Sequence, residues 1–275
     1  SWLSTHRPDI VLVILESFTG HILDMPEVMP RLKALSEEGI YFPHFYANSF
    51  RTDRGLVSIL SGYPAQPTAS IMKSPSKSQS LPAIARSLRK VGYDTEMIYG
   101  GDADFTNMRS YFYATGYGRV MSCDDFTTEE NSARWGVPDH ITFPRVEKEI
   151  ARQTARPFMK TFLTLSSHEP FDVPMSRLEH PYLNSVAYTD SCLGAFVDTL
   201  RQSPLWENLL IVFVADHTMR YPAGIQEHEV KRHHIPMVWR SRERAPCRGR
   251  LCIANRFGGD VVGADAHRLF RFCFQ

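Results

Sequence analysis

Five side chains of this sequence have the chemistry of a metal-assisted transfer site. Four of them follow apolar stretches of the chain and the fifth is a hydroxyl on a separate loop: Glu16, His168, Asp216, His217 and Thr52. Asp, Glu and His together suit Zn or Mn better than Ca. A threonine hydroxyl is a poor nucleophile near neutral pH unless a metal or a base lowers its pKa. The set therefore predicts phosphoryl or sulfuryl transfer centred on Thr52.

Each of these side chains also has a structural interpretation when it is considered alone. A Thr between a loop and a helix is commonly an N-cap, and a carboxylate after a strand commonly caps a helix. A single His is more often a hydrogen-bonding residue than a ligand. What favours a functional site is that acids and imidazoles occur together after three apolar runs.

The apolar runs are typical of strands buried on both faces of a sheet, because they are continuous and rich in β-branched residues. Strands are predicted at residues 9–15, 40–46, 93–99, 157–165, 209–215 and 234–239. Helices are predicted at residues 29–39, 56–62, 81–92, 141–154 and 184–200. This alternation indicates an α/β fold with a central, largely parallel or mixed β-sheet flanked by helices. The carboxyl ends of such strands meet at the edge where ligands bind.

Two stretches of the sequence lack this periodicity. Residues 64–80 are rich in Pro, Ser and Lys, which predicts a loop. Residues 104–135 are aromatic and irregular, as expected for a wall over a substrate cleft.

Size, charge and cysteine content restrict the class of protein. The chain has 275 residues and a formal net charge of +1, which fits one large α/β domain. Acidic and basic residues are mixed along it, so nucleic acid is not an expected partner. No apolar run approaches the roughly 18 residues that a membrane-spanning helix requires. The five cysteines show no CxxC spacing and form no disulfide framework in the sequence pattern.

Five short motifs occur in an order that is specific to one family. They are Val13-Ile-Leu-Glu16-Ser-Phe18, Thr52, Leu165-Ser-Ser-His168-Glu-Pro-Phe171, Ala187-Tyr-Thr-Asp190 and Val214-Ala-Asp216-His217. In these residues the chain resembles the lipoteichoic acid synthase group of the alkaline phosphatase and sulfatase superfamily. The resemblance covers about Pro8 to Trp239 and implies an alkaline phosphatase-like α/β sandwich.

The resemblance also implies a cofactor and roles for individual residues. One divalent metal ion is expected, Mn in the best-known members, with Zn or Mg as alternatives. The implied metal ligands are Glu16, Thr52, Asp216 and His217. Thr52 is the implied nucleophile that takes up the phosphoglycerol group, and His168 is expected to contact its phosphate. His234, before the last matched strand, is expected to approach the metal or the leaving group.

Two departures from the family pattern concern the substrate. The synthases carry a Trp and an Arg for the phosphoglycerol head where this chain has Thr106 and Met108, so Asn107 and Arg109 are the expected substrate-binding replacements. Arg54 follows the nucleophile in Phe50-Arg-Thr-Asp-Arg54 and is a candidate phosphate clamp; the alternative is that it pairs with a surface acid. The same stretch lacks the Cys-x-Pro-x-Arg-like setting of sulfatases, which favours phosphorus over sulfur.

The composition changes after Trp239, so a catalytic domain is predicted at residues 1–239 and an atypical tail at residues 240–275. The tail is rich in Arg, has no Lys and holds three of the five cysteines. Codons can be chosen so that reading it one nucleotide later gives Gln-Ile-Asp-Leu-Ala-Ala-Thr-Leu-Leu, which matches the helix that the family carries at this place. We therefore hypothesise that the tail is a frameshift product.

The predicted function is a metal-dependent phosphotransferase that moves a phosphoglycerol or related phosphoalcohol group from a phospholipid or glycolipid donor. The resemblance places it on the periplasmic or outer face of the bacterial cytoplasmic membrane, with a membrane anchor outside this chain. The oligomeric state is not indicated. Two alternatives stay open, a sulfuric ester or phosphodiester hydrolase and a catalytically inactive binding domain of the same fold.

Overall fold

A mixed seven-stranded sheet forms the centre of the structure, a computed structural model that describes residues 7–243 and the backbone of residues 261–262. Its strands are β1 (Asp9–Leu15), β2 (Ile40–Tyr41), β4 (Asp94–Tyr99), β5 (Arg119–Met121), β6 (Phe158–Leu163), β7 (Leu209–Ala215) and β8 (Met237–Ser241). They are ordered β2-β8-β7-β1-β6-β4-β5. A second, two-stranded sheet pairs β3 (Phe45–Tyr46) with β9 (Val261–Val262).

The centre of the large sheet is β1, in which every residue is buried. It pairs in parallel with β6 and with β7, so that Leu12 faces Thr161 on one side and Val212 on the other. β4 and β5 continue the parallel arrangement beyond β6. On the other side, β8 pairs antiparallel with β7 and β2 pairs antiparallel with β8, so that β8 alone runs opposite to the other strands of this sheet. The carboxyl ends of β1, β6 and β7 therefore meet at one edge. The predicted fold class, α/β with a mixed central sheet, is confirmed.

Seven α-helices lie within the described residues. They are α1 (Pro30–Glu38), α2 (Thr52–Ser61), α3 (Pro75–Ser78), α4 (Ile84–Lys90), α5 (Met108–Ala114), α6 (Asp139–Ala151) and α7 (Pro181–Gln202). α7 is the longest and packs against α1 and α6. α2 ends at Gly62, whose φ of 62° is the left-handed conformation that glycine adopts without strain.

Three predicted segments are organised differently in the structure. The predicted loop at residues 64–80 contains a short 3-10 helix (Ile71–Lys73) and α3 (Pro75–Ser78). The predicted strand at residues 40–46 is split, because β2 pairs with β8 while β3 pairs with β9. Pro43 lies between the two parts, and its ring nitrogen has no hydrogen to donate to a strand partner. The stretch 104–135 contains α5 and β5 as well as irregular chain. In α5, Met108, Tyr111 and Phe112 bury one helical face.

The last strand of the large sheet extends past the predicted domain boundary. In the register of β7 and β8, Leu210 faces Ser241 and Ile211 faces Arg240. The sheet therefore includes two residues beyond Trp239. Residues 244–260 and 263–275, and with them most of the predicted atypical tail and the frameshift hypothesis, lie outside the described residues.

Candidate active site

The candidate site lies where the carboxyl ends of β1, β6 and β7 meet. Glu16 is the first residue after β1, and its backbone N–H donates to the Thr164 hydroxyl after β6 at 3.0 Å. The Ser167 hydroxyl donates in turn to the Glu16 carbonyl oxygen at 2.6 Å. Asp216 follows β7, and its Oδ1 accepts the Ser17 backbone N–H at 3.0 Å. These bonds hold both carboxylates at the edge of the sheet.

Four side chains converge at this edge, namely Glu16, Thr52, Asp216 and His217. The Thr52 hydroxyl is 3.1 Å from Glu16 Oε2 and 3.3 Å from His217 Nε2. His217 Nε2 is also 3.3 Å from Glu16 Oε1 and 3.5 Å from Asp216 Oδ2. The structure therefore brings together the four side chains that the sequence resemblance implies as metal ligands.

The position of Thr52 depends on close contact between the backbone of α2 and the backbone at the end of β7. Thr52 is the first residue of α2, and Gly55 lies in the same turn. A Cβ atom on Gly55 would lie 2.3 Å from the Asp216 carbonyl oxygen, so α2 reaches the end of β7 only because residue 55 has no side chain. The helix N-terminus that results favours an anion beside the Thr52 hydroxyl.

The buried charges of the cluster shift the pKa values of its members. Burial raises the pKa of Asp216 to about 7, and the negative charge of Glu16 adds to the increase. Burial opposes the protonated form of His217, but the carboxylates of Asp216 and Glu16 outweigh it and raise the His217 pKa to about 9. Burial also opposes ionisation of Glu16, but His217 lowers the Glu16 pKa to about 2. A positive charge beside the two carboxylates therefore stabilises them, and the proton on His217 supplies one here.

A divalent metal ion also fits beside the two carboxylates. Asp216 Oδ2 is buried and has no hydrogen-bond partner among the described residues, and a buried oxygen without a partner is costly. One ligand atom each from Glu16, Asp216 and His217 lie within 4.8 Å of one another. Two carboxylates, an imidazole and a hydroxyl form a donor set that suits Mn or Zn.

Three of these side chains, Glu16, Thr52 and His217, line a cleft of about 400 Å³, and Asp216 lies buried behind them. Its other lining residues include Phe50, Arg51, Tyr99, Phe105, Thr106, Met108, Trp135, His168, Arg220 and Arg232. Phe105 and Trp135 are exposed at its mouth, with ring centroids 6.3 Å apart. The predicted wall at residues 104–135 thus supplies part of the lining.

His168 faces the same cleft but is not part of the metal-ligating cluster. Its Nδ1 lies 2.7 Å from the carbonyl oxygen of Glu169, and its ring centroid is 5.1 Å from that of Trp135. Because a carbonyl oxygen only accepts, Nδ1 carries the proton in this contact. The other ring nitrogen, Nε2, is then available to contact a ligand in the cleft.

The four remaining predicted site residues lie outside the cleft lining. Arg54 donates to the Pro67 carbonyl oxygen at 2.7 Å. Arg109 forms ion pairs with Asp104 at 2.9 Å and Asp124 at 3.1 Å, so its charge is already neutralised. Asn107 is exposed in a left-handed conformation with φ of 63°.

His234 packs away from the metal-ligating cluster. Its ring lies against Gly20, where an added Cβ would be 2.7 Å from Nδ1, and is 5.7 Å from the ring of Tyr46. Its backbone carbonyl accepts the Gly20 N–H at 2.7 Å. These contacts place His234 in the packing between β3 and the segment after β1.

Several cleft residues are missing from the sequence-based prediction, and three of them are arginines: Arg51, Arg220 and Arg232. Arg51 directly precedes Thr52, so its position beside the nucleophile is a signal that the sequence offers. Arg220 follows the Asp216-His217 motif after two intervening residues, whereas Arg232 lies well beyond it, and only the path of the chain brings Arg232 to the cleft. The resemblance carries no motif at either position.

The fold and the site together define an enzyme domain of the alkaline phosphatase superfamily, with the reacting groups at the carboxyl edge of a mixed sheet. The chain belongs to the Sulfatase family, whose model matches residues 8–248. It is similar over 96% of its length to a protein of the alkaline phosphatase superfamily from Vibrio parahaemolyticus, with 27% identity, a TM-score of 0.82 and coverage of 65% of that chain.

Sequence comparison also identifies relatives among the lipoteichoic acid synthases and similar proteins. The chain is 26% identical over 228 residues to the lipoteichoic acid synthase-like protein YvgJ of Bacillus subtilis, covering 76% of this chain and 36% of that protein. It is 27% identical over 241 residues to the lipoteichoic acid synthase of Staphylococcus aureus, covering 77% and 36%. The predicted resemblance is confirmed, and the chain spans about a third of the length of these relatives. None of the helices within the described residues is long and apolar enough to cross a membrane.

Proposed function

We propose that this domain is a metal-dependent phosphotransferase that moves a phosphoglycerol or related phosphoalcohol group from a lipid donor through a phospho-threonine intermediate. The observation that carries the proposal is the position of the Thr52 hydroxyl, 3.1 Å from Glu16 Oε2 and 3.3 Å from His217 Nε2. A hydroxyl that lies within a cluster of metal-ligating atoms, at a helix N-terminus and open to a cleft, supports the proposal that this oxygen attacks a phosphodiester. The similarity to lipoteichoic acid synthases supports the same chemistry.

The cofactor in this proposal is one divalent ion held by Glu16, Thr52, Asp216 and His217. When bound, it lowers the pKa of the Thr52 hydroxyl and neutralises charge on the transferring group. We propose Mn, with Zn or Mg as alternatives. Support comes from the buried Asp216 Oδ2, which has no hydrogen-bond partner in the described part of the chain.

The transfer consists of two displacements at phosphorus. In the first, Thr52 Oγ1 forms a bond to the donor phosphorus, the bond from phosphorus to the lipid oxygen breaks, and the lipid leaves as an alcohol after taking up a proton. The Thr52 hydroxyl releases its proton to water, and the leaving lipid oxygen takes up a proton from water. In the second, an acceptor hydroxyl attacks the phospho-threonine and restores the Thr52 hydroxyl. His168 contacts the phosphate oxygens in both steps, where a fixed donor is most effective.

Phosphorus is favoured over sulfur by the residues of the nucleophile loop. Sulfatases form their modified nucleophile from a Cys or Ser in a Cys-x-Pro-x-Arg-like setting, whereas this loop is Phe50-Arg-Thr-Asp-Arg54. A phosphodiester hydrolase shares the first displacement and differs in using water for the second. The acceptor of the phospho-threonine therefore decides between a transferase and a hydrolase.

The proposed setting is the extracytoplasmic face of the bacterial membrane. The donor proposed for the reaction is a lipid, so the domain acts at a membrane surface. We propose that a tether outside this chain holds it there. The basis for this setting is the family resemblance.

The proposed function is tested with a fluorescent phosphatidylglycerol as the donor. Thr52→Ala removes the nucleophile and is expected to abolish release of the fluorescent lipid alcohol, whereas Thr52→Ser keeps a hydroxyl and retains part of the activity. The intact mass of the wild-type protein, quenched during turnover, should rise by one phosphoglycerol group, and digestion should locate it on Thr52. Unchanged turnover in Thr52→Ala removes the mechanism, and release of free glycerol phosphate without any acceptor product identifies a hydrolase.

A further inference from the structure

The loop that carries His168 follows β6 and is contacted at both of its ends by one short segment of the chain. The loop, residues 165–169, is called the His168 loop, and the segment, residues 135–139, is called the 135–139 segment. The segment is itself attached to the end of β4, because the Val137 backbone N–H donates to the Gly100 carbonyl oxygen at 2.9 Å. None of its residues has a role in the transfer described above.

Asp139 contacts the beginning of the His168 loop. Its Oδ1 accepts the Leu165 backbone N–H at 2.9 Å, and its Oδ2 accepts the Ser166 backbone N–H at 3.3 Å. The Asp139 backbone N–H donates in return to the Ser166 hydroxyl at 2.9 Å. Thr189 of α7 donates its hydroxyl to Oδ2 at 2.6 Å. One carboxylate thus connects α6, α7 and the loop.

The Asp139 carboxylate lies entirely inside the protein. The residue has no exposed surface. Burial raises the pKa of the carboxyl group, and the hydrogen bonds from Thr189, Leu165 and Ser166 oppose that increase. A buried charge is costly unless hydrogen bonds compensate for it. Here two of the compensating donors are backbone groups of the loop that carries His168.

Trp135 contacts the other end of the His168 loop. Its Nε1 donates to the Glu169 carbonyl oxygen at 2.7 Å, and His168 Nδ1 lies 2.7 Å from the same oxygen. A carbonyl oxygen has two lone pairs and can accept both bonds. The indole ring also contacts the imidazole ring, with centroids 5.1 Å apart and an angle of 56° between the ring planes. The carbonyl oxygen and the indole together restrict the orientation of the imidazole.

Packing of the core does not explain Trp135. The residue is 43% exposed and is not part of the hydrophobic core formed by the described residues. It lines the cleft beside His168, and its other ring contact is with Phe105, which is also exposed. An aromatic ring exposed to this extent contributes less to stability than a buried one. The contacts that Trp135 does make are directed to His168 and its loop.

We propose that Trp135 and Asp139 are positioning residues for His168. They fix the direction in which Nε2 faces the cleft, and they keep the proton of the neutral imidazole on Nδ1. Their effect on turnover rests on the proposed function, in which His168 contacts the phosphate. The orientation and the tautomer of the ring do not require turnover and can be measured without a substrate.

Nitrogen NMR of isotope-labelled histidine side chains measures the tautomer, at a pH at which the ring is neutral. The signals of His168 are those that disappear in His168→Ala. We expect the wild type to show the Nδ1–H tautomer alone. Trp135→Phe keeps an aromatic ring but loses the indole N–H, so its His168 signals should shift towards a mixture of the two tautomers. Asp139→Asn should produce the same shift, because the start of the loop is displaced.

Two matched variants separate positioning from a general loss of stability. Trp206→Phe makes the same change in a partly buried Trp between α7 and β7 that does not line the cleft. Asp9→Asn changes another fully buried carboxylate, which accepts the Phe158 backbone N–H at 3.2 Å at the opposite end of β6. Both should leave the His168 signals as they are in the wild type, even where thermal unfolding shows a lower melting temperature.

The exposed position of Trp135 predicts that Trp135→Phe folds and melts close to the wild type, so its NMR result is decisive even if Asp139→Asn does not fold. Unchanged His168 signals in Trp135→Phe would overturn the proposal. Equal shifts in Trp135→Phe and in Trp206→Phe would also overturn it.

Kinetics distinguish positioning from direct contact of Trp135 with the substrate. In the wild-type background, Trp135→Phe should lower kcat/KM about tenfold, the factor that one hydrogen bond contributes. In the His168→Ala background, the same substitution should change kcat/KM by less than about twofold, because no imidazole is left to position. Equal losses in the two backgrounds would show that Trp135 acts without His168 and would overturn the proposal. If no transferase activity is found, the proposed function fails, whereas the NMR result still decides the proposal on His168.

Discussion

Ser17 donates its backbone N–H to Asp216 Oδ1 at 3.0 Å and thereby connects the end of β1 to the end of β7. The Ser17 hydroxyl also donates to Glu16 Oε1 at 2.7 Å. One residue, in a left-handed conformation with φ of 59°, thus orients both carboxylates of the cluster. Asp216 Oδ2, which accepts no hydrogen bond within the described residues, faces His217, and the second oxygen of Glu16 faces Thr52.

The first prediction concerns metal binding by Asp216. In Asp216→Asn the amide oxygen can still accept the N–H groups of Ser17 and His217, which lie 3.0 Å and 2.8 Å from Oδ1, so the fold should persist. The anionic Oδ2 is lost, and with it a metal ligand. In thermal unfolding, Mn at 100 times its Kd should stabilise the wild type by about 2.7 kcal/mol and the variant hardly at all.

Without metal, the order of the two unfolding temperatures should be reversed. Without metal, two buried carboxylates repel each other, so Asp216→Asn should unfold at a higher temperature than the wild type. Asp198→Asn, on the exposed face of α7, is the control and should respond to Mn as the wild type does. An equal response of Asp216→Asn to Mn would show that Asp216 is not a ligand.

The second prediction concerns the close approach of α2 to β7. Gly55→Ala places a Cβ 2.3 Å from the Asp216 carbonyl oxygen, which must push the start of α2 away from the cluster. We expect the free energy of unfolding to fall by about 1–3 kcal/mol and kcat to fall about 100-fold, because Thr52 moves relative to Glu16. Gly224→Ala is the matched control, since no atom lies within 4 Å of its Cβ. Equal kcat in both variants would mean that Gly55 does not set the position of the nucleophile.

The third prediction separates His168 from His217. His168 touches no member of the metal-ligating cluster through a hydrogen bond, and its Nδ1 contacts only the neighbouring Glu169 carbonyl oxygen among the described residues. His168→Ala should therefore keep its Mn content and melting temperature, while kcat/KM falls about 100-fold through loss of a phosphate contact. His228→Ala, on the exposed surface, should change neither. Loss of Mn from His168→Ala would instead make His168 a metal ligand.

Strand prediction from the sequence succeeded where burial leaves a pattern along the chain. The limits of β1 and β7 agree with the predicted strands at residues 9–15 and 209–215, because both strands are buried on both faces and consist almost entirely of apolar residues. That agreement is also why the side chains after them, Glu16, Asp216 and His217, could be expected to meet. Parallel neighbours in one sheet end at the same edge.

The sequence does not indicate which groups form hydrogen bonds or ion pairs with each arginine. Arg54 and Arg109 were both expected to contact the phosphate. In the structure, Arg54 donates to the Pro67 carbonyl oxygen, and Arg109 forms ion pairs with Asp104 and Asp124. Such pairings depend on the path of the loops, which has no periodic signal. α5 was missed for a related reason: its two turns bury few residues, and they lie within an aromatic stretch that has no clear repeat.

The fourth prediction is a pH dependence of stability from Asp190, which lies in one of the family motifs. Its carboxylate accepts the backbone N–H groups of Arg31 at 2.9 Å and Leu32 at 2.8 Å and so caps α1. Burial nevertheless raises the pKa of Asp190 to about 6, from an ordinary value of 3.8. The folded state then binds more protons than the unfolded state between these values. The contribution of Asp190 to the free energy of unfolding is therefore largest below about pH 4 and is lost as the pH rises through about 6.

Asp190→Asn removes this titration and keeps one acceptor for α1. Between about pH 4 and about pH 7, the stability of the variant relative to the wild type should increase by up to about 3 kcal/mol. Urea titrations of both metal-free proteins at these pH values measure the difference. A constant difference across the range would show that Asp190 ionises in the folded protein as it does in the unfolded chain.

The fifth prediction compares the two arginines that flank the nucleophile. Arg51 lines the cleft, has a side chain that is 63% exposed and lies 3.8 Å from the Asp53 carboxylate. Arg54 is directed to the Pro67 carbonyl oxygen, outside the cleft lining. Arg51→Ala should therefore raise the KM for the lipid donor about tenfold with a smaller change in kcat, because a charge-assisted contact to the phosphodiester is lost. Arg54→Ala should leave KM unchanged and lower the melting temperature slightly, since it frees the loop at Pro67. The opposite ranking of the two KM values would restore Arg54 as the phosphate clamp and assign Arg51 to the surface.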